Sequence, residues 1–126
     1  MRIGILEDNQ SLGRILQLSL ENAGYTVHTY QTSRDFLLFM TSPERADLIV
    51  VDFRLLAEHH PEGGSKLSGA DVIRHIRTDA PDLPAILISA SPLATLEAAT
   101  SGLSGVKMLQ KPFKMVILLE TIQTLI

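Results

Sequence analysis

Side chains of the types that bind metal ions and phosphate groups stand at the ends of four apolar runs in this sequence. They are Glu7, Asp8, Asp52, Ser89 and Lys111. In an open parallel sheet, ligands bind outside the carboxyl ends of the strands. If the four runs are such strands, three carboxylates, one hydroxyl and one ammonium meet at one edge of the sheet.

A site with three carboxylates has to compensate their charge. Two carboxylates about 5 Å apart repel each other by roughly 3 kcal/mol at an effective dielectric constant of 20, so the site needs a cation or a raised pKa. Magnesium prefers one or two carboxylates together with water, a backbone carbonyl and a phosphate oxygen. The residue types therefore predict Mg²⁺ as the cofactor.

The elements that must position these residues follow from the apolar patterns. Continuous or alternating apolar runs predict five strands, at residues 2–6, 25–30, 46–51, 85–89 and 106–110. Helical spacing between and after the runs predicts five helices, the third over 70–77 and the last over 114–126. Five strands alternating with five helices indicate an α/β fold, an open and mostly parallel sheet with right-handed crossovers.

Several helix ends carry recognisable signals. Gly24 suits a left-handed C-terminal cap of the first helix, Ser33 is expected to cap the second, and Ser91-Pro92 to start the fourth with a cap and a first-turn proline. On the last helix one stripe is expected to be buried, with Ile117 left on the polar side. That stripe consists of Met115, Leu118, Leu119, Ile122 and Leu125.

Composition excludes several classes of protein. The 126 residues carry a net charge of −3 and no cysteine, which predicts one soluble domain over 1–126 without disulfides or a cysteine zinc site. Absence of cysteine fits a reducing, cytoplasmic location. Eleven Lys and Arg against fourteen Asp and Glu provide no basic stripe for direct nucleic-acid binding. No apolar run approaches the roughly 18 residues of a bilayer span, so no membrane contact is expected.

Four motifs together resemble a known family. Glu7-Asp8, Asp52, Ser89-Ala90 and Lys111-Pro112-Phe113 are similar to the acidic pair, phosphoacceptor, hydroxyl and Lys-Pro motif of response-regulator receiver domains, the CheY-like superfamily. The resemblance covers essentially the whole chain. It implies a flavodoxin-like (βα)5 fold with strand order 2-1-3-4-5. It also implies that Asp52 accepts a phosphoryl group from a sensor histidine kinase or phosphotransfer protein and relays the signal by a conformational change.

The resemblance also implies roles for the acidic residues. Asp52 would be the nucleophile, and Asp8 and Asp52 would bind Mg²⁺ directly. Glu7 would bind the ion through water, and the backbone carbonyl of Arg54 would supply a further oxygen. Such a domain is a signalling module that catalyses only its own phosphorylation and dephosphorylation.

Lys111 and the Ser89 hydroxyl would contact the phosphoryl oxygens, and the Lys111-Pro112 bond is expected to be cis. Arg54 and Ser91 flank the site and are candidates for tuning hydrolysis. Taken singly, each of these residues also has a plain structural interpretation: a buried hydroxyl for Ser89, a surface ammonium for Lys111, a helix-start proline for Pro112.

Two features depart from the family pattern. The loop 53–68 is long, and its segment 58–62 has the composition of a metal cluster, although a solvated or partner-contacting loop is the favoured interpretation. Met108 stands where receiver domains commonly carry an aromatic switch residue, which puts that switch in doubt. A core methionine without a signalling role is the alternative.

Partners and rival functions follow from the same residues. The family commonly uses the fourth helix, fifth strand and fifth helix to dimerise or to contact an effector domain. One rival is a receiver-like interaction module that signals without phosphorylation. A second is a magnesium-dependent aspartyl phosphatase, which usually has another Asp where this chain has Arg54. A flavin or nucleotide binder is disfavoured, because residues 7–10 contain no glycine-rich phosphate loop.

Overall fold

A computed structural model describes residues 1–55 and 67–126, which form five strands and five helices. The strands are β1 (Arg2–Leu6), β2 (Thr26–Tyr30), β3 (Leu48–Asp52), β4 (Ala85–Ser89) and β5 (Val106–Gln110). The helices are α1 (Gln10–Asn22), α2 (Ser33–Met40), α3 (Gly69–Arg77), α4 (Leu93–Ala99) and α5 (Met115–Leu125). All strand pairs are parallel and the order is β2-β1-β3-β4-β5, so the predicted fold is confirmed.

The sheet is covered on both faces, which is why its central strands are almost wholly apolar. Every residue of β3 and β4 is buried. One face packs against α2, α3 and α4 around Phe36 and Ile73. The other packs against α1 and α5 around Leu16 and Leu118. The two cores fix the positions of the strand ends.

The last helix shows the predicted division of its faces. Of the stripe expected to be buried, Leu118 and Ile122 are buried and the other three members are half-buried. Ile117 is exposed as predicted, and Val116 beside it is exposed as well. Within residues 1–55 and 67–126, no helix has both the length and the apolar character that a membrane crossing requires.

Two predicted helix caps are wrong by one residue. The cap of α2 is Thr32, whose hydroxyl accepts a hydrogen bond from the Asp35 amide at 3.3 Å, and Ser33 is the first helical residue. The N-cap of α4 is Pro92, without a side-chain cap bond, because the Ser91 hydroxyl is engaged elsewhere. Gly24 has φ +100° and ends α1 as predicted.

Helix α3 begins directly against the backbone of β3. The Gly69 amide donates to the Phe53 carbonyl at 2.8 Å. A Cβ at Gly69 would overlap the Asp52 carbonyl oxygen and lie 2.9 Å from its carbonyl carbon. Only glycine permits this approach, so the start of α3 fixes the backbone of Asp52. A capping box between Ser68 and Asp71 holds the same turn.

Candidate functional site

Strand register brings the predicted site residues to one edge of the sheet. Leu6 pairs with Val51, so Glu7 follows β1 at the level where Asp52 ends β3. Ser89 ends β4 opposite Gln110 of β5. The Lys111 amide donates to the Ser89 carbonyl at 2.8 Å, which extends this alignment by one residue.

The three predicted acidic residues form one cluster. One carboxylate oxygen from each of Glu7, Asp8 and Asp52 lies within 4.8 Å of the other two. Glu7 is 2% exposed and Asp52 is 4% exposed, while Asp8 is half-buried. Two nearly buried carboxylates at this separation require a neutralising partner.

Lys111 supplies part of that neutralisation. Its ammonium donates to Glu7 Oε1 at 2.7 Å and to Asp52 Oδ1 at 3.4 Å. Burial disfavours the charge of Lys111, but the hydrogen bond to Glu7 and the negative charges of Asp52 and Glu7 outweigh it and raise its pKa. Lys111 therefore stays protonated, and the Lys111-Pro112 peptide bond is cis, as expected.

The surroundings of Asp52 perturb its acidity. Burial is the first cause and the neighbouring Glu7 carboxyl the second, and together they raise the pKa of Asp52 to about 8 against the opposing effect of Lys111. One ammonium does not compensate the cluster. An acceptor carboxylate that has to be ionised at neutral pH needs a further positive charge nearby.

The residues present fit a divalent metal ion. Glu7 Oε2 is buried and has no hydrogen-bond partner among the residues that the structure describes. Such an atom costs free energy unless a cation or an ordered water satisfies it. The carboxylates of Glu7, Asp8 and Asp52 together form the oxygen-rich donor set that Mg²⁺ prefers.

Ser89 lies one strand away from Asp52 and is 2% exposed. Its hydroxyl oxygen accepts a hydrogen bond from the Ser91 amide at 3.0 Å. Arg54 lies two residues beyond Asp52, and its Nε donates to the Ser91 hydroxyl at 2.9 Å. The structure thus joins Arg54, Ser89 and Ser91 in one network beside the carboxylates.

Sequence reasoning missed two residues of this region. Gly69, whose close approach fixes the Asp52 backbone, belongs to the Ser68-Gly69-Ala70-Asp71 segment, and its signal is a capping box with a glycine at the first helical position. Gln110 was predicted only as the end of a strand, yet its Nε2 donates to the Ser91 carbonyl at 3.0 Å. No sequence signal marks that contact.

Met108 packs half-buried against the core on the α4 face, where the Thr100 hydroxyl lies 3.9 Å from its sulfur. This agrees with the interpretation of Met108 as a core methionine. The segment 58–62, with its metal-cluster composition, lies outside the described residues.

Comparisons with known proteins agree with this architecture. The family model described as response regulator receiver domain matches residues 3–123. The chain is 32% identical over 129 residues to the probable transcriptional regulatory protein SilR of Salmonella typhimurium, covering all of this chain and 51% of SilR. It is 27% identical over 126 residues to the response regulator MprA of Mycolicibacterium vanbaalenii, again with full coverage of this chain and 50% of MprA.

A solved structure shows the same fold. The non-phosphorylated HemR receiver domain from Leptospira biflexa superposes with a TM-score of 0.81 at 26% identity, over 98% of this chain and 92% of that chain. The chain spans about half the length of the curated relatives it matches.

Proposed function

This chain belongs to the response regulator receiver domains of two-component systems, and on that premise we propose that Asp52 is its phosphoacceptor. The observation that carries the proposal is the position of Asp52, a nearly buried carboxylate within reach of both an ammonium and two further carboxylates. A buried carboxylate that only supports the fold needs a single partner for its charge. A nucleophile that must receive a phosphoryl group needs positive charge, and residues that can hold a metal ion, around the transferred oxygens.

We propose the following transfer. A carboxylate oxygen of Asp52 attacks the phosphorus of the donor, a bond forms between that oxygen and phosphorus, and the bond from phosphorus to the leaving atom of the donor breaks. The leaving atom keeps the bonding electron pair. The product on the chain is an acyl phosphate at Asp52.

Each neighbouring residue has a role in that transfer. Asp8 and Asp52 would hold Mg²⁺ directly, Glu7 through water, and the Arg54 carbonyl would complete the set. When bound, the ion supplies positive charge to the phosphoryl oxygens. Lys111 donates to a phosphoryl oxygen, and the Ser89 hydroxyl donates to another.

The partners proposed are a sensor histidine kinase or phosphotransfer protein as donor, and an effector domain or a second copy of this chain as receiver of the signal. The relatives that match are about twice as long as this chain, which supports an effector domain in the full protein. We take residues 1–126 as one receiver domain, with a signal relayed through α4, β5 and α5, and place it in the cytoplasm.

The test is the intact mass of the protein after incubation with acetyl phosphate and Mg²⁺. We expect the wild-type chain to gain one phosphoryl group, and the Asp52→Asn variant and a chelator-treated sample to gain none. Asn conserves the volume of Asp, so circular dichroism should show an unchanged fold. Equal phosphorylation of the Asp52→Asn variant would refute Asp52 as acceptor. No gain by the wild-type chain, from acetyl phosphate or from a phosphorylated kinase, would favour an interaction module that signals without phosphorylation.

A further inference from the structure

Ser91 is the centre of a hydrogen-bond network that joins three strand ends. It is 5% exposed, and all three of its polar groups are engaged. Its amide donates to Ser89 Oγ at 3.0 Å, its hydroxyl accepts from Arg54 Nε at 2.9 Å, and its carbonyl accepts from Gln110 Nε2 at 3.0 Å. These three partners come from the ends of β3, β4 and β5.

The Ser91 side chain does not serve the helix that follows it. A serine just before a helix usually caps the helix with its hydroxyl. Here the N-cap of α4 is Pro92, which makes no side-chain cap bond, and the Ser91 hydroxyl turns to Arg54 instead. The contact with Arg54 therefore replaces the ordinary structural role of this residue.

The network determines how the Ser89 hydroxyl is oriented. A hydroxyl has one proton to donate and two lone pairs, and it rotates about its Cβ–Oγ bond. The Ser91 amide occupies one lone pair of Ser89 Oγ. Rotation is thereby restricted, while the proton remains available for an oxygen of an incoming phosphoryl group.

We propose that Arg54 is a positioning residue for phosphoryl transfer, which acts through Ser91 on the Ser89 hydroxyl. The inference rests on the proposed function of Asp52. Arg54 holds the Ser91 side chain, Ser91 holds Ser89 Oγ, and Ser89 donates to the phosphoryl oxygen. A hydroxyl whose rotation is already restricted needs less reorganisation when charge develops in the transition state.

The alternative is that the Arg54 guanidinium acts on the phosphoryl group directly, by its charge. The two possibilities predict different effects of Arg54 on the phosphorylation rate when the Ser89 hydroxyl is removed. A direct electrostatic effect persists when Ser89 has no hydroxyl, whereas an effect transmitted through Ser89 disappears.

The test measures initial rates of phosphorylation by acetyl phosphate at saturating Mg²⁺, by intact mass. In each turnover the Asp52–phosphorus bond forms, the phosphorus–oxygen bond of acetyl phosphate breaks, and acetate leaves with the electron pair. The variants are Arg54→Gln, Ser91→Ala, their combination, and each change in a Ser89→Ala background. Arg45→Gln is the matched control, because Arg45 is exposed at the opposite edge of the sheet. All these variants keep the backbone carbonyl of residue 54.

We expect Arg54→Gln to lower the maximal rate about five-fold, the factor that corresponds to one lost hydrogen bond. The acetyl phosphate concentration for half-maximal rate should stay unchanged. Ser91→Ala should have the same effect, and the double variant no larger one. In the Ser89→Ala background the Arg54→Gln factor should fall to about one. Arg45→Gln should match the wild-type chain.

Three results would overturn the proposal. They are a five-fold factor that persists without the Ser89 hydroxyl, additive effects of Arg54→Gln and Ser91→Ala, and an unchanged rate for Arg54→Gln in the wild-type background.

Hydrogen exchange of the Ser91 amide provides a second readout that needs no phosphorylation. We expect Arg54→Gln to speed this exchange about five-fold and Arg45→Gln to leave it unchanged. Unchanged exchange in Arg54→Gln would overturn the proposed contact. If exchange is faster in Arg54→Gln but the wild-type chain takes no phosphoryl group from any donor, the contact stands and the proposed function is overturned, and with it the role of Arg54 in transfer.

Discussion

Binding of Mg²⁺ to the acidic cluster should depend steeply on pH, because the ion competes with a proton on Asp52. Burial and the Glu7 carboxyl raise the pKa of Asp52 to about 8 in the metal-free chain. At pH 6 about one-hundredth of Asp52 is then ionised, at pH 7 about one-tenth, and at pH 8 about half. Only the ionised form accepts the ion.

The magnitude follows from these fractions. The apparent affinity for Mg²⁺ should rise about tenfold from pH 6 to 7, about fivefold from pH 7 to 8, and about twofold from pH 8 to 9. Each ion bound should release about 0.9 proton at pH 7 and about 0.1 at pH 9. Lys111 contributes nothing to this profile, because its raised pKa keeps it protonated throughout.

Isothermal titration calorimetry measures both quantities. Repeating each titration in buffers with different ionisation enthalpies gives the number of protons released. The control is Asp52→Asn, which should bind the ion more weakly and with less than a roughly twofold change between pH 6 and 8. Equal affinity of the wild-type chain at pH 6 and pH 8 would refute the reasoning. A steep profile that survives in Asp52→Asn would assign the proton to another group.

The free energy of unfolding should also depend on the proton of Asp52, but it should fall as pH rises, whereas the affinity for Mg²⁺ rises. An unfolded Asp52 loses its proton near its ordinary pKa of 3.8, whereas the folded residue keeps it until about pH 8. The folded state binds more protons between these values, so the free energy of unfolding falls as pH rises through this range. Urea denaturation with a chelator present should show the fall between pH 6 and 8. The Asp52→Asn variant should show a smaller fall.

Two further predictions concern the backbone and the ammonium of the site. Gly69→Ala should lower the free energy of unfolding by about 1–3 kcal/mol and slow phosphorylation, because a Cβ there overlaps the Asp52 carbonyl. In urea denaturation the matched control, Gly13→Ala in α1, should be neutral or stabilising, since its nearest neighbour would be 3.9 Å away, and equal stability of the two variants would contradict this. Lys111→Gln should slow phosphorylation at least about tenfold, measured by intact mass, and move the pH midpoint of Mg²⁺ binding upward, because Lys111 lowers the pKa of Asp52. An unchanged midpoint in calorimetry would contradict the assigned effect of Lys111.

The fold was predictable because each strand is a short apolar run between polar residues. For β4 and β5 even the ends agree with the sequence pattern. The start of β3 does not, since Ala46 and Asp47 precede the strand although the apolar run includes them. The Asp47 carboxylate accepts a hydrogen bond from the Arg2 amide at 2.8 Å, and the Asp47 amide donates to the Arg2 carbonyl at 2.8 Å, so this residue is tied to β1 although it precedes β3.

Helix caps were less predictable, because adjacent residues offer the same chemistry. Thr32 and Ser33 both carry a hydroxyl, and the choice depends on which one the Asp35 amide reaches. Ser91 is a residue type that often caps helices, but its hydroxyl accepts a hydrogen bond from Arg54, which lies 37 positions away in the chain. A contact of that kind depends on the packing of two loops, which local sequence patterns do not encode.

The positions of the site residues followed from the strand ends, but their contacts did not. Sequence reasoning did not place Lys111 beside Glu7, yet its ammonium lies 2.7 Å from Glu7 and 3.4 Å from Asp52. Both distances follow from the register of β1, β3, β4 and β5, which sets the three side chains at one level. Register is a property of the assembled sheet.

The shorter distance of Lys111 to Glu7 than to Asp52 also bears on why the cluster fits a metal ion. The ammonium satisfies one oxygen of Glu7 and leaves Oε2 buried without a partner among the described residues. A second positive charge within the cluster of Glu7, Asp8 and Asp52 would satisfy that oxygen, directly or through water, and would favour ionisation of Asp52 at neutral pH. Lys111 would then be less needed as a counter-ion for Asp52 and free to donate to a phosphoryl oxygen. On the proposed function, metal binding and phosphoryl acceptance would therefore depend on the same three carboxylates and one ammonium.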